Sequence, residues 1–270
     1  RKCSMDASFD GEIRLFLREL AVAAAQETLP AFRSSLTIEN KAPSGCFDPV
    51  TEADRSAEKR IRSVIEARYP THGIEGEEYG LTEGSSEWSW IIDPIDGTRS
   101  FISGMPTWGT LIGLLHKGVP CYGMMSQPIV GDCFLGGGEL SQLIRPEGVT
   151  SLKCRATRLI SDATLFSTTP DMFKSGAELE AFNRVSSLAK LTRFGADCYG
   201  YCLMASGFAD LVIEADLQFY DIAPVIPIVE AAGGVVSDWE GRPVISGGRV
   251  VAACNRALQK DVLEILNTGS

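Results

Sequence analysis

Apolar residues at Ile13, Phe16, Leu17, Leu20 and Val22 through Ala25 recur three and four positions apart. That spacing predicts an amphipathic helix over residues 10–32, with Pro30 at its end. A second helix is predicted over residues 54–69, where Ile61, Val64 and Ile65 share a face. β-favouring runs predict strands at 74–77, 88–93, 107–115, 119–126 and 133–136. Helices follow at 178–191 and 197–206, then a short strand at 209–214. An apolar helix over 222–232 is closed by Gly233-Gly234, with a strand to Ser237 and a turn at Glu240-Gly241-Arg242-Pro243. A strand at 250–253 and a helix at 257–266 end the chain. The alternation predicts an α/β protein of mixed helices and strands, without repeats, low-complexity tracts or an evident linker.

The segment Trp90-Ile91-Ile92-Asp93-Pro94-Ile95-Asp96-Gly97-Thr98 breaks this pattern where it matters most. Three strand-forming residues lead into two carboxylates, and Pro94 cannot donate to a ladder, so pairing is expected to stop where the acids begin. Asp93 and Asp96, with the Ile95 carbonyl between them, can face one cluster of hard cations such as Mg2+, which takes oxygen ligands. Gly97 allows the backbone N–H groups to approach a phosphate, and Thr98 adds a hydroxyl beside it. The plain alternative is a capped turn at a strand end. Taken alone, Asp54 reads as a helix cap and the Glu77-Glu78 pair as a solvated acidic turn.

Composition narrows the partners. A chain of 270 residues with 44% hydrophobic content can bury a large core as one unit, and a net charge of −10 excludes nucleic acid and anionic lipid as natural partners. There is no 18-residue apolar run, so no membrane span is expected. Eight scattered cysteines (3, 46, 121, 133, 154, 198, 202, 254) and two histidines, His72 and His116, argue against zinc and for reduced core thiols. Bound dications would reconcile an acidic protein with a phosphate substrate.

The 90–98 segment resembles the signature of the inositol monophosphatase-like, Mg2+-dependent phosphatases. Asp48-Pro49-Val50-Thr51-Glu52-Ala53-Asp54 is similar to that family's first acidic motif, Gly76-Glu77-Glu78 to its second, and Asp221-Ile222-Ala223 to its last. Four motifs in order are far more specific than one. The longer run from Asp93 to Leu115, with Gly195-Ala196-Asp197-Cys198-Tyr199 and Tyr220-Asp221-Ile222-Ala223-Pro224, is most similar to the histidinol-phosphate phosphatase branch.

The resemblance implies a layered α/β/α/β/α sandwich. It would form one catalytic domain over residues 1–270, in two packed halves of about 1–150 and 151–270, and a homodimer. It implies two or three Mg2+ ions: Glu77, Asp93 and the Ile95 carbonyl at one site, and Asp93, Asp96 and Asp221 at the next. Glu77, Thr98 and Asp54 would be the catalytic set, with Thr98 holding the attacking water and Asp54 accepting its hydroxyl proton. Gly97 and Thr98 would bind the phosphate. Lys41 lies in a loop where the family often carries a basic residue.

Asp197 and Glu214 fall where the resemblance implies the alcohol part of the substrate is held. Two carboxylates beyond the metal ligands suit a cationic leaving group, which favours L-histidinol phosphate and a place in histidine biosynthesis. Asp197 as a helix cap is the plain alternative. An inositol or sugar phosphate monophosphatase is the rival activity, and a non-catalytic relative that binds metal and phosphate is the rival class. The chain starts Arg1-Lys2-Cys3-Ser4, which reads as the product of a removed plastid targeting peptide, with a truncated cytoplasmic enzyme as the alternative.

Overall fold

The computed structural model describes residues 7–35, 37–41 and 49–268. The expectations attached to the Arg1 start, Cys3, Cys46 and Asp48 lie outside the described residues. Helix α1 (Ala7–Ala31) and helix α2 (Glu52–Arg68) pack side by side, with the short antiparallel strands β1 (Ile38–Asn40) and β2 (Pro49–Thr51) between them in sequence. Their apolar stripes, Ile13, Phe16, Leu17 and Leu20 on one and Ile61 and Ile65 on the other, close over the first sheet.

That sheet contains β3 (Gly73–Gly76), β4 (Gly80–Thr82), β5 (Trp88–Asp96), β6 (Gly109–His116), β7 (Val119–Gln127), β8 (Asp132–Gly137), β9 (Leu140–Arg145) and β10 (Gly148–Ser151); helix α3 (Thr98–Ile102) lies between β5 and β6. Its order is β10-β9-β8-β7-β6-β5-β3-β4, antiparallel except where β3 runs parallel to β5. The second sheet is built from β11 (Thr164–Ser167), β12 (Leu191–Phe194), β13 (Leu211–Leu217), β14 (Val235–Asp238) and β15 (Gly248–Ala253), in the order β12-β11-β13-β15-β14. Helices α5 (Tyr199–Ala205), α6 (Phe219–Ile222) and α7 (Ile226–Ala231) lie between the sheets, while α4 (Ala177–Leu188) and α8 (Arg256–Leu266) cover the far face of the second. One core joins the layers, running from Leu111, Met125 and Phe134 through Ile222 and Ile228 to Ile213 and Val251. This is the layered α/β/α/β/α arrangement.

The middle layer sits so low that it meets bare backbone. A Cβ on Gly123 would lie 1.7 Å from the Pro224 carbonyl oxygen, and one on Gly136 would lie 2.2 Å from the Ile228 Cα. Side chains there would lift the α6–α7 segment and carry Asp221 away from β5.

Several predicted elements change. The helix expected over 222–232 is two short helices, because Pro224 supplies no N–H and Pro227 opens the second at its first turn. The helix expected to begin at Asp197 begins at Tyr199, since Asp197 takes φ +49°. The helix expected over 178–191 ends at Leu188, and Leu191 opens strand β12 instead. Strands β9, β10 and β11 lack the apolar alternation that would announce them; exposed Leu140 and Val149 obscure the pattern. Cys121 is in a disulfide rather than a free thiol. His72, in the loop before β3, accepts a hydrogen bond from the Trp90 indole at 3.0 Å and stacks on Tyr69.

Candidate active site

Strand β5 does not stop at Asp93. It pairs with β6 through Asp96, with Asp93 opposite Leu111 and Asp96 opposite Gly109. Three steps on β5 match two on β6, so one extra residue is accommodated as a bulge. Pro94, which has no N–H to give, falls at the bulge, and its carbonyl accepts the Thr110 hydroxyl at 2.8 Å. The bulge decides the site. In a regular strand, residues three apart face opposite sides, whereas the bulge turns both carboxylates toward one point.

Asp221 reaches the same point from α6, and carboxylate oxygens of Asp93, Asp96 and Asp221 lie within 4.8 Å of one another. Each carries few protein donors: the Ile95 N–H reaches Asp93 at 3.0 Å, the Cys198 N–H reaches Asp96 at 2.7 Å, and the Gln218 N–H reaches Asp221 at 2.7 Å. Burial, then mutual repulsion with Glu77, Asp96 and Asp221, holds the Asp93 carboxyl well above its ordinary range. Asp96 and Asp221 are raised too, by burial foremost. Crowded and under-donated carboxylates, one buried and two half-buried, fit hard dications: oxygen ligands in number, with charge that no described side chain neutralises.

Glu77 stands in the turn between β3 and β4, its N–H bonded to the Ile92 carbonyl at 3.2 Å. Lys41 reaches Glu77 at 3.1 Å and also pairs with Glu78. Burial works to lower the Lys41 ammonium, but the charges of Glu77 and Glu78 override it and raise it to about 12. Burial raises Glu78 to about 7 against the pull of Lys41.

The Thr98 hydroxyl donates to the Ile95 carbonyl at 3.1 Å rather than to Asp54. Asp54 serves instead as the third residue of α2, where it accepts the Thr51 N–H at 2.8 Å and the Thr51 hydroxyl at 2.6 Å in a capping box. Its carboxyl is pushed up to about 6, by burial first and by the Glu77 charge, with the Thr51 bonds opposing. Thr51 was not singled out in the sequence, although T-x-x-D before an apolar periodic run is a recognisable start signal.

A cavity of about 420 Å³ opens beside the three acids and is lined by Gly97, Thr98, Asp197, Tyr201, Glu214 and Asp221, among others. Gly97 adopts φ +82°, and a Cβ there would lie 2.8 Å from the Asp197 carboxyl carbon. Asp197 does not cap α5. Its Oδ2 accepts from Ser100 at 2.5 Å and from Thr107 at 2.9 Å, while Oδ1 has no hydrogen-bond partner among the described residues.

Glu214 is more fully engaged. Oε1 accepts the Thr168 N–H at 3.0 Å and its hydroxyl at 2.5 Å, and Oε2 accepts the Tyr201 hydroxyl at 2.7 Å. Burial still raises it to about 7. Phe101 and Trp108 are core residues, and Tyr199 bonds Asp132, so Tyr201 is the aromatic that shapes the cavity. Thr168 and Tyr201 carried no sequence signal, because each acts through a partner at least 13 residues away.

The inositol monophosphatase family profile matches residues 11–269. The chain belongs to the inositol monophosphatase family. Like its relatives it is a phosphatase. It is 38% identical to the chloroplastic bifunctional phosphatase IMPL2 of Arabidopsis thaliana, over 92% of this chain and 72% of that protein. A histidinol-phosphatase from Chlorobaculum parvum is 36% identical, over 93% and 95% of the two chains. The structure of an inositol monophosphatase from Zymomonas mobilis superposes with a TM-score of 0.84 at 37% identity, over 97% of this chain and 99% of that one. No described helix is long and apolar enough to cross a membrane.

Proposed function

We propose that the protein hydrolyses L-histidinol phosphate to L-histidinol and phosphate, with Mg2+ at the acidic cluster. The observation that carries this reading is Asp197. It is a buried carboxylate lining the cavity beside the three clustered aspartates, held through one oxygen and with the other unpartnered among the described residues. An ammonium or imidazolium on the leaving alcohol matches such a group, whereas a neutral polyol gives its charge nothing to pair with. Histidinol-phosphatases among its relatives support the same reading.

Asp93, Asp96, Asp221, Glu77 and the Ile95 carbonyl would hold two or three Mg2+ ions, which supply the positive charge a phosphoryl group and its attacking water require. Around them, the Gly97 and Thr98 backbone would take the phosphate oxygens. Thr98 would turn its hydroxyl from the Ile95 carbonyl toward the water, with Asp54 positioned behind it. Glu214, already fixed by Thr168 and Tyr201, would present a set wall to the alcohol rather than a free charge. That last point favours a second reading, an inositol or sugar phosphate monophosphatase, which the likeness to the Zymomonas mobilis enzyme supports.

One panel separates the two: kcat/KM with Mg2+ on histidinol phosphate, inositol monophosphate and glycerol phosphate. Histidinol phosphate should lead by at least an order of magnitude, and equal values would overturn the proposal. By the name of its Arabidopsis relative we also infer a plastid location, with the cytoplasm as the alternative; imaging the tagged full gene product decides between them. A homodimer is expected on sedimentation.

A further inference from the structure

Glu58 and Arg62 lie one turn apart on α2, beneath the turn that carries Glu77. Glu58 is fully buried and Arg62 nearly so. A charge there needs a reason, since a buried ion pair by itself adds little stability. Its contacts supply one. Glu58 Oε2 accepts the Glu78 N–H at 2.7 Å, and Oε1 accepts both the Tyr79 N–H at 3.2 Å and Arg62 Nε at 2.8 Å. Arg62 continues to the Gly80 carbonyl and, at 3.1 Å, to the Thr82 hydroxyl on β4. With the Glu77 N–H on Ile92, three consecutive turn amides are tied down, two of them by one carboxylate. Gly76 completes the fit, because a Cβ there would lie 2.1 Å from Glu58 Oε1.

We propose that Glu58, braced by Arg62, is a positioning residue that aims the Glu77 carboxylate at the cation cluster; this rests on the reading of Glu77 as a metal ligand. Glu58 faces the backbone of the turn and touches no proposed ligand atom. An anionic acceptor is suited to this place, since a carboxylate offers acceptor oxygens at both ends, whereas a neutral amide would turn an NH2 donor toward the N–H groups at one of them. Partners of this kind, lying just behind a ligand, typically change metal affinity by about 10–100-fold.

The test is Mn2+ binding to the protein, followed by the electron paramagnetic resonance of free Mn2+, alongside the Mg2+ dependence of turnover. Glu58→Gln should weaken Mn2+ binding and raise the Mg2+ concentration for half-maximal activity, each by about tenfold or more, with kcat at saturating Mg2+ within a few-fold of the parent. In a Glu77→Gln background, adding Glu58→Gln should have no further effect on metal binding. Unchanged Mn2+ affinity in a folded Glu58→Gln variant, or full additivity with Glu77→Gln, overturns the proposal. If Glu77→Gln itself leaves Mn2+ binding unchanged, the ligand reading fails first. Should Glu58→Gln not fold, Arg62→Lys keeps a positive charge beside Glu58 but releases β4. It should shift Mn2+ affinity in the same direction by several-fold, and no shift overturns the proposal.

Discussion

The two groups of acids around the cavity are built on opposite principles. Asp93, Asp96 and Asp221 share one point and, among the described residues, have one backbone N–H apiece. Glu214 has three donors and Asp197 two, drawn from Thr168, Tyr201, Ser100 and Thr107. The first group leaves its charge for a cation to neutralise. The second is held in place by the protein, and in Asp197 one oxygen is left over for a ligand. On the proposed reading, the carboxylates meant for metal are set apart by what the protein withholds from them.

The strongest way to break that comparison is Asp93→Asn. Losing the ligand proposed to be common to two metal sites should lower turnover by several orders of magnitude at any Mg2+ concentration. In EDTA the same variant should melt higher than the parent, because one of the repelling buried charges is gone. Glu214→Gln should do the opposite in EDTA and lower stability by about 1–3 kcal/mol, since the amide turns a donor toward Thr168 or Tyr201. If both variants move the melting temperature in one direction, the contrast between the groups is wrong.

Asp197→Asn sharpens the comparison at the substrate end. It should cost about 2–5 kcal/mol in kcat/KM on histidinol phosphate and almost nothing on glycerol phosphate, the scale for a desolvated charged pair with one partner removed. Equal losses on both esters would make Asp197 structural and favour the inositol or sugar phosphate reading. Ser100→Ala, which removes one of its two hydroxyl donors, should give a smaller loss of about 0.5–1.5 kcal/mol on the same substrate.

A gentler test uses pH. Burial raises Glu214 from an ordinary 4.5 to about 7 and Asp54 from 3.8 to about 6, and it raises the three clustered aspartates as well. Folded carboxyls with raised values hold protons that the unfolded chain has already released. Their contribution is therefore fully present below the unfolded values and is lost as pH climbs through the folded ones. In EDTA the melting temperature should fall from about pH 4.5 to about pH 7, and saturating Mg2+ should flatten the fall near pH 7 by taking up the cluster's charge. A curve in EDTA that rises across this window would contradict the burial argument.

What could be read directly from the chain were features local in sequence. The amphipathic stripes of α1 and α2 followed from three- and four-residue spacing, and the acidic motifs lay within short windows such as 93–98, so the family and its layered fold were legible. Less legible was anything that depended on pairing across the molecule. The sequence suggested that strand β5 ends at Asp93, but the ladder to β6 continues past Pro94 because a bulge absorbs the extra residue. Likewise Thr98 was expected to bond Asp54, yet Asp54 was captured by Thr51, three residues away and already in reach.

The sequence by itself determined which residues could carry charge, which could not pair in a strand, and which faces of the helices had to be buried, since composition and period are properties of the chain. Only the tertiary structure decided that Asp221 meets Asp93, through helices seated on the bare backbone of Gly123 and Gly136. It alone decided that Asp197 would turn one oxygen to Ser100 and Thr107, and that Glu58 would hold the Glu77 turn. The physical reason is distance along the chain. Each of these contacts joins segments that no local propensity couples, so its geometry exists only once the layers have packed.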